Sequence, residues 1–278
     1  MKHTEFEWTT PDGLKFYGQV WEPESPPRAV VALVHGLGEH SGRYAHVAEV
    51  LNQAGYAVVA FDLRGHGKST GQRGDVPSSE AILGDVGHLL EEAQKRFPGR
   101  PCFLYGHSLG GILVLYYTLR CRPQLAGVVA TSAGLITALH KQTLKVALSR
   151  VLGLIRPTLS MPTGLENAAL SRDPEVVRAY EQDPLVHNQA TLRAGNLLLG
   201  MTRWTLDHAS EFSLPLLLIH GSADRIAFPE SSTEFARGLG SRATLKIWEG
   251  LYHETHNEPE KGEVLAYLVD WLNKHLPA

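Results

Sequence analysis

Short, continuous apolar runs recur along the first half of the chain and return near its end. Strands buried on both faces of a parallel sheet show this pattern, because neither face meets water. Two N-terminal segments, 5–9 and 14–22, instead alternate polar and apolar residues around Pro11-Asp12-Gly13, which indicates a hairpin at the sheet edge. The continuous runs predict strands over 29–35, 56–62, 102–106, 125–131, 214–220 and 243–248.

Segments with helical periodicity separate these runs. They predict helices over 43–54, 79–96 and 109–120, and a closing helix over 259–275. Strands that alternate with helices are typical of an α/β fold in which a mostly parallel central sheet is flanked by helices.

The strand pattern stops after about residue 134 and resumes at about 213. Between these points the chain shows helical segments and no convincing strand. Because the sheet pattern resumes afterwards, the middle segment reads as an insertion rather than as a tandem domain. We predict one α/β core, 1–134 and 213–278, interrupted after its sixth strand by a helical cap over 135–212.

The composition is that of an ordinary globular protein. Of 278 residues, 43% are hydrophobic and 20% are charged, and the net charge of −3 gives no basic excess that would attract nucleic acid. Two cysteines, Cys102 and Cys121, fit a reducing compartment and exclude a cysteine-based zinc site. No segment has the apolar stretch of a signal peptide or of a transmembrane helix, so we expect a cytoplasmic protein.

A candidate nucleophile lies in the motif Gly106-His107-Ser108-Leu109-Gly110, which fits G-x-S-x-G. The motif directly follows a predicted strand and directly precedes a predicted helix, as a nucleophile elbow requires. The turn is tight enough that a Cβ at either glycine would clash. We therefore predict that Ser108 stands exposed above the edge of the sheet.

A serine hydroxyl needs a base, and in this strand-turn-helix arrangement the order along the chain is Ser, then Asp or Glu, then His. Asp224 follows the strand predicted over 214–220, and His253 follows the strand predicted over 243–248. Both residues therefore lie at the carboxyl edge of the sheet, where functional groups of parallel sheets gather. Leu109, directly after the serine, and Leu37, in the turn after the first parallel strand, are the predicted backbone N–H donors to the oxyanion.

Other residues compete for the roles of base and acid. His256 is three residues beyond His253, and His220 lies close by, although its place inside a strand favours a core role. Asp183 and Asp207 lie within the insertion and not at the sheet edge, which disfavours them as partners of the base.

Taken together, these residues resemble the α/β-hydrolase fold, and more specifically the monoacylglycerol lipases and their lysophospholipase-like relatives. The resemblance spans nearly the whole chain. The segments that carry it are HGLGEHSGRY (35–44), FDLRGHGKSTGQR (61–73), GHSLGG (106–111), SRDPEVVRAYEQDPLVH (171–187), GSADRI (221–226) and GLYHETHNEPE (250–260).

The resemblance implies that Ser108, Asp224 and His253 form a catalytic triad, with the amides of Leu37 and Leu109 as the oxyanion hole. It also implies pocket residues and no metal or organic cofactor. The residues implied around the glycerol head and along the pocket are Glu39, Arg43, His256 and Tyr180.

Some of these polar residues have a purely structural interpretation. Glu39 and Arg43 are spaced as an (i, i+4) pair at a helix start, where Arg43 could hold a loop instead of a substrate. Asp62, Arg64 and His66 are expected to form a structural network under the floor of the site.

The segment 139–155 carries an apolar stripe formed by Leu144, Leu148, Val151, Leu152 and Ile155. Three basic residues, Lys141, Lys145 and Arg150, lie in the same segment. Packing of this stripe on the core is the favoured interpretation. The tip near 152–157 is expected to meet a lipid or micelle surface.

The favoured function is therefore a serine ester hydrolase that acts on a monoacylglycerol or a similar small lipid ester through an acyl-enzyme. A broader carboxylesterase or lysophospholipase with the same triad remains an alternative. An aminopeptidase would need an acidic pocket for the substrate amine. A catalytically inactive binding protein would be expected to lack one of the three triad residues.

Overall fold

An eight-stranded sheet forms the centre of the computed structural model, which describes residues 1–137 and 143–277. The strand order is β1-β2-β4-β3-β5-β6-β9-β10. Two further strands, β7 and β8, form a separate small sheet. The bounds are β1 (Lys2–Thr9), β2 (Lys15–Glu22), β3 (Ala29–Val34), β4 (Tyr56–Phe61), β5 (Cys102–His107), β6 (Gly127–Thr131), β7 (Ser160–Pro162), β8 (Gln189–Thr191), β9 (Leu216–Gly221) and β10 (Ala243–Trp248).

The two N-terminal strands form the antiparallel edge of an otherwise parallel sheet. β1 pairs antiparallel with β2, and β2 pairs antiparallel with β4, whereas the pairs from β4 to β10 are parallel. The predicted edge hairpin and the mostly parallel sheet are both confirmed.

The central strands are buried on both faces, which explains their uninterrupted apolar sequences. In β3, Val30, Ala32 and Val34 belong to one apolar layer, while Ala29, Val31 and Leu33 belong to the layer on the opposite face. Because successive side chains of a strand point to opposite faces, both sets must be apolar.

Helices cover both faces of the sheet. The helices predicted in the first half and at the end are present, with boundaries shifted by a few residues. A helix between β9 and β10 was not predicted. The bounds are α1 (Ala45–Gln53), α2 (Ser79–Arg96), α3 (Leu109–Cys121), α4 (Thr143–Ile155), α5 (Pro174–Gln182), α6 (Leu192–Asp207), α7 (Glu230–Leu239) and α8 (Lys261–Lys274).

The segment between β6 and β9 is called here the inserted segment, and its described residues add no strand to the main sheet. It contributes α4, α5 and α6 together with the antiparallel pair of β7 and β8. The expectation that this segment lacks strands was therefore wrong. Each of these strands has three residues, which is too short to leave a periodic signal in the sequence.

The apolar stripe of α4 does not pack on the core in the way the sequence suggested. Leu148 and Val151 are each 59% exposed, and Ile155 is 74% exposed. Leu154, beside Ile155, is 87% exposed. Lys141 lies outside the described residues, as do the side chains of Leu144 and Lys145. Across the two described ranges, no helix has the length and apolar character needed to cross a membrane.

Candidate active site

Ser108 lies in the sharp turn between β5 and α3. Its backbone is in a strained left-handed region, with φ 53° and ψ −111°. A Cβ on Gly106 would lie 2.2 Å from the carbonyl oxygen of Gly110, and one on Gly110 would lie 2.1 Å from that of Val34. The predicted clash at both glycines is confirmed, so only glycine lets the turn close and hold Ser108 at the sheet edge.

Three side chains from separate strand ends form a continuous chain of hydrogen bonds. His253 Nε2 lies 2.8 Å from Ser108 Oγ, and His253 Nδ1 lies 2.7 Å from Asp224 Oδ2. With Nδ1–H donating to the carboxylate, Nε2 is left to accept the serine proton. This is the geometry of a nucleophile, a general base and an orienting carboxylate.

Electrostatics favour the protonated form of His253 once it has taken a proton. Burial alone would lower the pKa of His253, but the charge and hydrogen bond of Asp224 outweigh it, and the net pKa lies above its usual value. Burial would likewise raise the pKa of Asp224, yet His253 and the hydrogen bond from His220 hold that pKa well below its usual range. The pair is thus built to carry an imidazolium beside a carboxylate.

Asp224 is fixed by more partners than the sequence revealed. Its Oδ1 accepts the backbone N–H groups of Ile226 at 2.8 Å and Ala227 at 3.0 Å. His220 Nε2 donates to Oδ2 at 3.1 Å, while its Nδ1 accepts from the hydroxyl of Ser232 at 2.7 Å. The core role expected for His220 therefore includes direct support of Asp224, which its position four residues earlier could have suggested.

Ser132 is a second contributor that the sequence did not indicate. It follows β6 with a positive φ of 45°, and its hydroxyl donates to the backbone carbonyl of His253 at 2.6 Å. This bond helps to place the His253 ring above Ser108, together with the backbone bond from the N–H of His253 to the carbonyl oxygen of Ala169.

The two predicted oxyanion donors flank the serine. Leu109 is the first residue of α3, where amide N–H groups point out of the helix and the helix dipole is positive. Leu37 follows β3 and lines the same small cavity as Gly36 and Ser108. Their roles as donors stay a prediction, since they concern a reaction intermediate.

Comparisons with known proteins agree with this geometry. A family model described as "serine aminopeptidase, S33" matches residues 25–260. The chain belongs to this family. It is also 36% identical to a monoacylglycerol lipase of Mycolicibacterium smegmatis, over 95% of each chain. The crystal structure of a Paleococcus ferrophilus monoacylglycerol lipase, 38% identical, superposes with a TM-score of 0.84 over 99% of this chain and 100% of that one.

These matches confirm the α/β-hydrolase fold and the resemblance to monoacylglycerol lipases. An uncharacterized abhydrolase domain-containing protein of Dictyostelium discoideum is 38% identical over 93% of this chain, and the chain spans only 28% of that relative's length. The fold can therefore also occur as one part of a much longer protein.

A buried ion-pair network forms the polar side of the hydrolase site. Arg43 donates to Glu39 Oε2 at 2.6 Å and to both carboxylate oxygens of Glu254 at 2.7 Å. Burial would raise the pKa of Glu254, but Arg43 beside it holds that pKa well below its usual range. The (i, i+4) pair between Glu39 and Arg43 is confirmed, and Glu254 is its unpredicted third member.

His256 does not reach the cavity that holds Ser108. It is 1% exposed, stacked on Tyr44 at 5.0 Å and set edge-on against His107 at 4.7 Å between ring centroids. Neither ring nitrogen has a hydrogen-bond partner, and burial lowers its pKa far below the usual value. The expected contact between His256 and a substrate head group therefore has no support in this geometry.

Both polar and apolar side chains line the cavity at Ser108. Glu39, Glu254 and Tyr180 line it, and Arg43 lies 4.7 Å from the Tyr180 ring. Leu165, Leu170 and Ile226, none of them singled out from the sequence, supply apolar parts of the lining. Its volume is only about 20 Å³. That is the space of about one water molecule, which is too small for an acyl chain.

The other polar residues of the loop after β4 are structural. Asp62 accepts from Ser41, Arg64 pairs with Asp85, and His66 bonds the backbone carbonyl of Arg64. The expected structural role of this set is confirmed. Among the residues that the structure describes, no three His, Cys, Asp or Glu side chains are grouped in a way that could hold a metal ion.

Proposed function

We propose that the chain hydrolyses the ester bond of monoacylglycerols and releases glycerol and a free fatty acid through an acyl-enzyme. The observation that carries the proposal is the hydrogen-bonded series Ser108, His253 and Asp224, beside a cavity lined by both polar and apolar side chains. The similarity to monoacylglycerol lipases over nearly the whole chain supports the same substrate class.

In the acylation step, His253 Nε2 takes the proton of Ser108 as Oγ attacks the ester carbonyl. The amides of Leu37 and Leu109 stabilise the negative oxygen of the tetrahedral intermediate. His253 then gives its proton to the departing glycerol oxygen. A water molecule, deprotonated by the same imidazole, attacks the acyl-serine and releases the fatty acid.

The polar and apolar residues that line the cavity suit the two parts of a monoacylglycerol. The free glycerol hydroxyls need hydrogen-bond partners once they leave water, and the carboxylates of Glu39 and Glu254 accept such bonds. Arg43 fixes the positions of both carboxylates, and the hydroxyl of Tyr44 also holds Glu39. The acyl chain would extend past Leu165, Leu170 and Ile226, where burial of methylenes is favourable.

The same network weighs against other substrates of the fold. An aminopeptidase site needs a carboxylate that is free to pair with the substrate amine, whereas Arg43 already engages both Glu39 and Glu254. A lysophospholipid would bring its phosphate towards these two carboxylates, which is repulsive. The broader carboxylesterase or lysophospholipase activity is thus the less favoured alternative.

We further propose that the inserted segment acts as a cap over 135–212 and that its tip contacts lipid. Leu148, Val151, Leu154 and Ile155 form a mostly exposed apolar surface on α4, and Arg150 lies on the same helix. An amphipathic helix with basic residues at its edge binds the interface of a membrane or micelle. This surface would bring the cap to the place where a monoacylglycerol is dissolved.

A competition assay tests the substrate class. Monooleoylglycerol, dioleoylglycerol, trioleoylglycerol and a lysophosphatidylcholine are mixed in one detergent system, and each product is followed over time. We expect the monoacylglycerol to be consumed well ahead of the others. Equal consumption of lysophosphatidylcholine or of the bulkier glycerides would contradict the assignment and leave a general lipid esterase.

A further inference from the structure

The turn that follows β3 is held from two sides. We name residues 36–40 the oxyanion loop, because Leu37 within it is the proposed donor to the oxyanion. From the core side, Glu39 Oε1 accepts the N–H of Gly36 at 2.6 Å and the hydroxyl of Tyr44 at 2.7 Å. These contacts fix Gly36 and the side chain of Glu39 from the core side.

The inserted segment holds the second half of the loop. The N–H of His187 donates to the carbonyl oxygen of Gly38 at 2.8 Å. The two backbones approach so closely that a Cβ on Gly38, whose φ is +79°, would lie 2.2 Å from the carbonyl oxygen of His187. The loop and the segment around residue 187 thus form one tight backbone contact.

A second connection runs between two side chains. His40 Nε2 donates to Asp183 Oδ2 at 2.8 Å, and His40 Nδ1 accepts the N–H of Gly42 at 3.2 Å. Asp183 is itself fixed, because its Oδ1 accepts the N–H of Leu185 at 2.8 Å. His40 and Asp183 are both largely buried, with side-chain exposures of 11% and 24%, so this hydrogen bond is shielded from solvent.

From these contacts we infer that Asp183 is a positioning residue for the oxyanion hole and acts through His40 on the amide of Leu37. The inference rests on the proposed function, because it assumes that Leu37 donates to the oxyanion. An amide stabilises the intermediate only if it is already aimed at the point where charge develops. The inserted segment therefore contributes to the chemical step as well as to substrate binding.

The test uses Asp183→Asn and p-nitrophenyl acetate, a short ester that avoids any effect on lipid binding. Asparagine keeps an oxygen that can accept the N–H of Leu185, but it replaces Oδ2, which accepts from His40, with an amide NH2 group. We expect kcat and kcat/KM to fall about tenfold with KM changed less than about twofold, as for an interaction realised in the transition state. Affinity for an alkyl trifluoromethyl ketone, whose bound hemiketal carries the same oxyanion, is expected to fall by the same factor.

Two further variants make the result decisive. Asp207→Asn makes the same chemical change at an exposed ion pair on α6. It should leave kcat, KM and the affinity for the trifluoromethyl ketone unchanged. His40→Gln breaks the connection from the other side and provides a second variant if Asp183→Asn folds poorly. In the double variant, the two losses of kcat should not add, because both substitutions remove the same hydrogen bond between His40 and Asp183.

Unchanged kcat in both single variants, or a rise in KM alone, would overturn the positioning role and leave the proposed function intact. An additive double variant would also overturn it. If the wild-type chain shows no hydrolysis that depends on Ser108, both proposals fall together.

Discussion

His253 lies among three carboxylates, and each of them influences its protonation. Asp224 bonds it directly, and Glu254 and Glu39 raise its pKa through their charges, so that the pKa stays above its usual value despite complete burial. The neutral ring is the active base, so kcat/KM should decline as the pH falls through this raised pKa. A profile that stays flat from neutral pH to pH values well below 6 would contradict His253 as the base.

Replacement of Glu254 by Gln should move this profile towards lower pH. The substitution removes one negative charge beside the imidazole, so the imidazolium is less stable and the neutral base persists to lower pH. Measurement of kcat/KM against pH on a soluble ester checks this. Glu249→Gln, an exposed residue of similar sequence position, is the matched control and should leave the profile in place.

The residues of the triad could be predicted, whereas several of their neighbours could not. Order along the chain and positions at strand ends indicated Ser108, Asp224 and His253, because those features follow directly from the parallel topology. The contacts of Ser132 and Glu254 depend on how loops from distant strands meet, which no local pattern encodes. The short helical turn at Thr255–Asn257 packs the buried His256 against Tyr44 and His107, a placement that the sequence pattern does not indicate.

At the level of elements, the turn from β5 to α3 should tolerate no side chain at Gly110. Alanine there would place Cβ 2.1 Å from a backbone oxygen of β3, which cannot move without disturbing the sheet. We expect Gly110→Ala to lower the free energy of unfolding by about 1–3 kcal/mol or more, and to remove activity by displacing Ser108.

Gly84→Ala provides the control for this prediction. Gly84 lies within α2, and no atom is close to where its Cβ would be. Alanine should therefore raise the free energy of unfolding by roughly 0.5–1 kcal/mol. Urea unfolding of both variants measures the contrast, and equal stability of the two would show that the turn is less tightly closed than its geometry indicates.

The main elements were predictable because their patterns are long and strong. Continuous apolar runs identify strands with two buried faces, and the 18 residues of α2 show a clear helical period. The three-residue strands β7 and β8 leave no such pattern. The stripe on α4 was assigned to the core because periodicity identifies an apolar face without indicating what covers it.

For the molecule as a whole, the exposed surface of α4 should matter only when the substrate is in a lipid phase. We expect Leu154→Ser combined with Ile155→Ser to weaken binding to phosphatidylcholine vesicles about tenfold or more, since a large aliphatic side chain gains roughly 1.5–3 kcal/mol on leaving water. Hydrolysis of p-nitrophenyl acetate should be unchanged.

The control for this surface is Arg203→Ser, which changes an exposed residue on α6 of the same inserted segment. It should leave both vesicle binding and the hydrolysis of a soluble ester unaffected. Vesicle co-sedimentation measures the first property. Undiminished binding of the α4 double variant would show that the apolar tip does not contact lipid.

Turnover of monooleoylglycerol by the wild-type chain and by Ser108→Ala tests the central proposal most directly. We expect the wild-type chain to release glycerol and oleate, and to carry a single fluorophosphonate adduct on the peptide that contains Ser108. The variant should lose at least about 10³-fold in kcat and remain unlabelled while keeping its fold. Turnover retained by Ser108→Ala, or an adduct at another residue, would contradict the proposal.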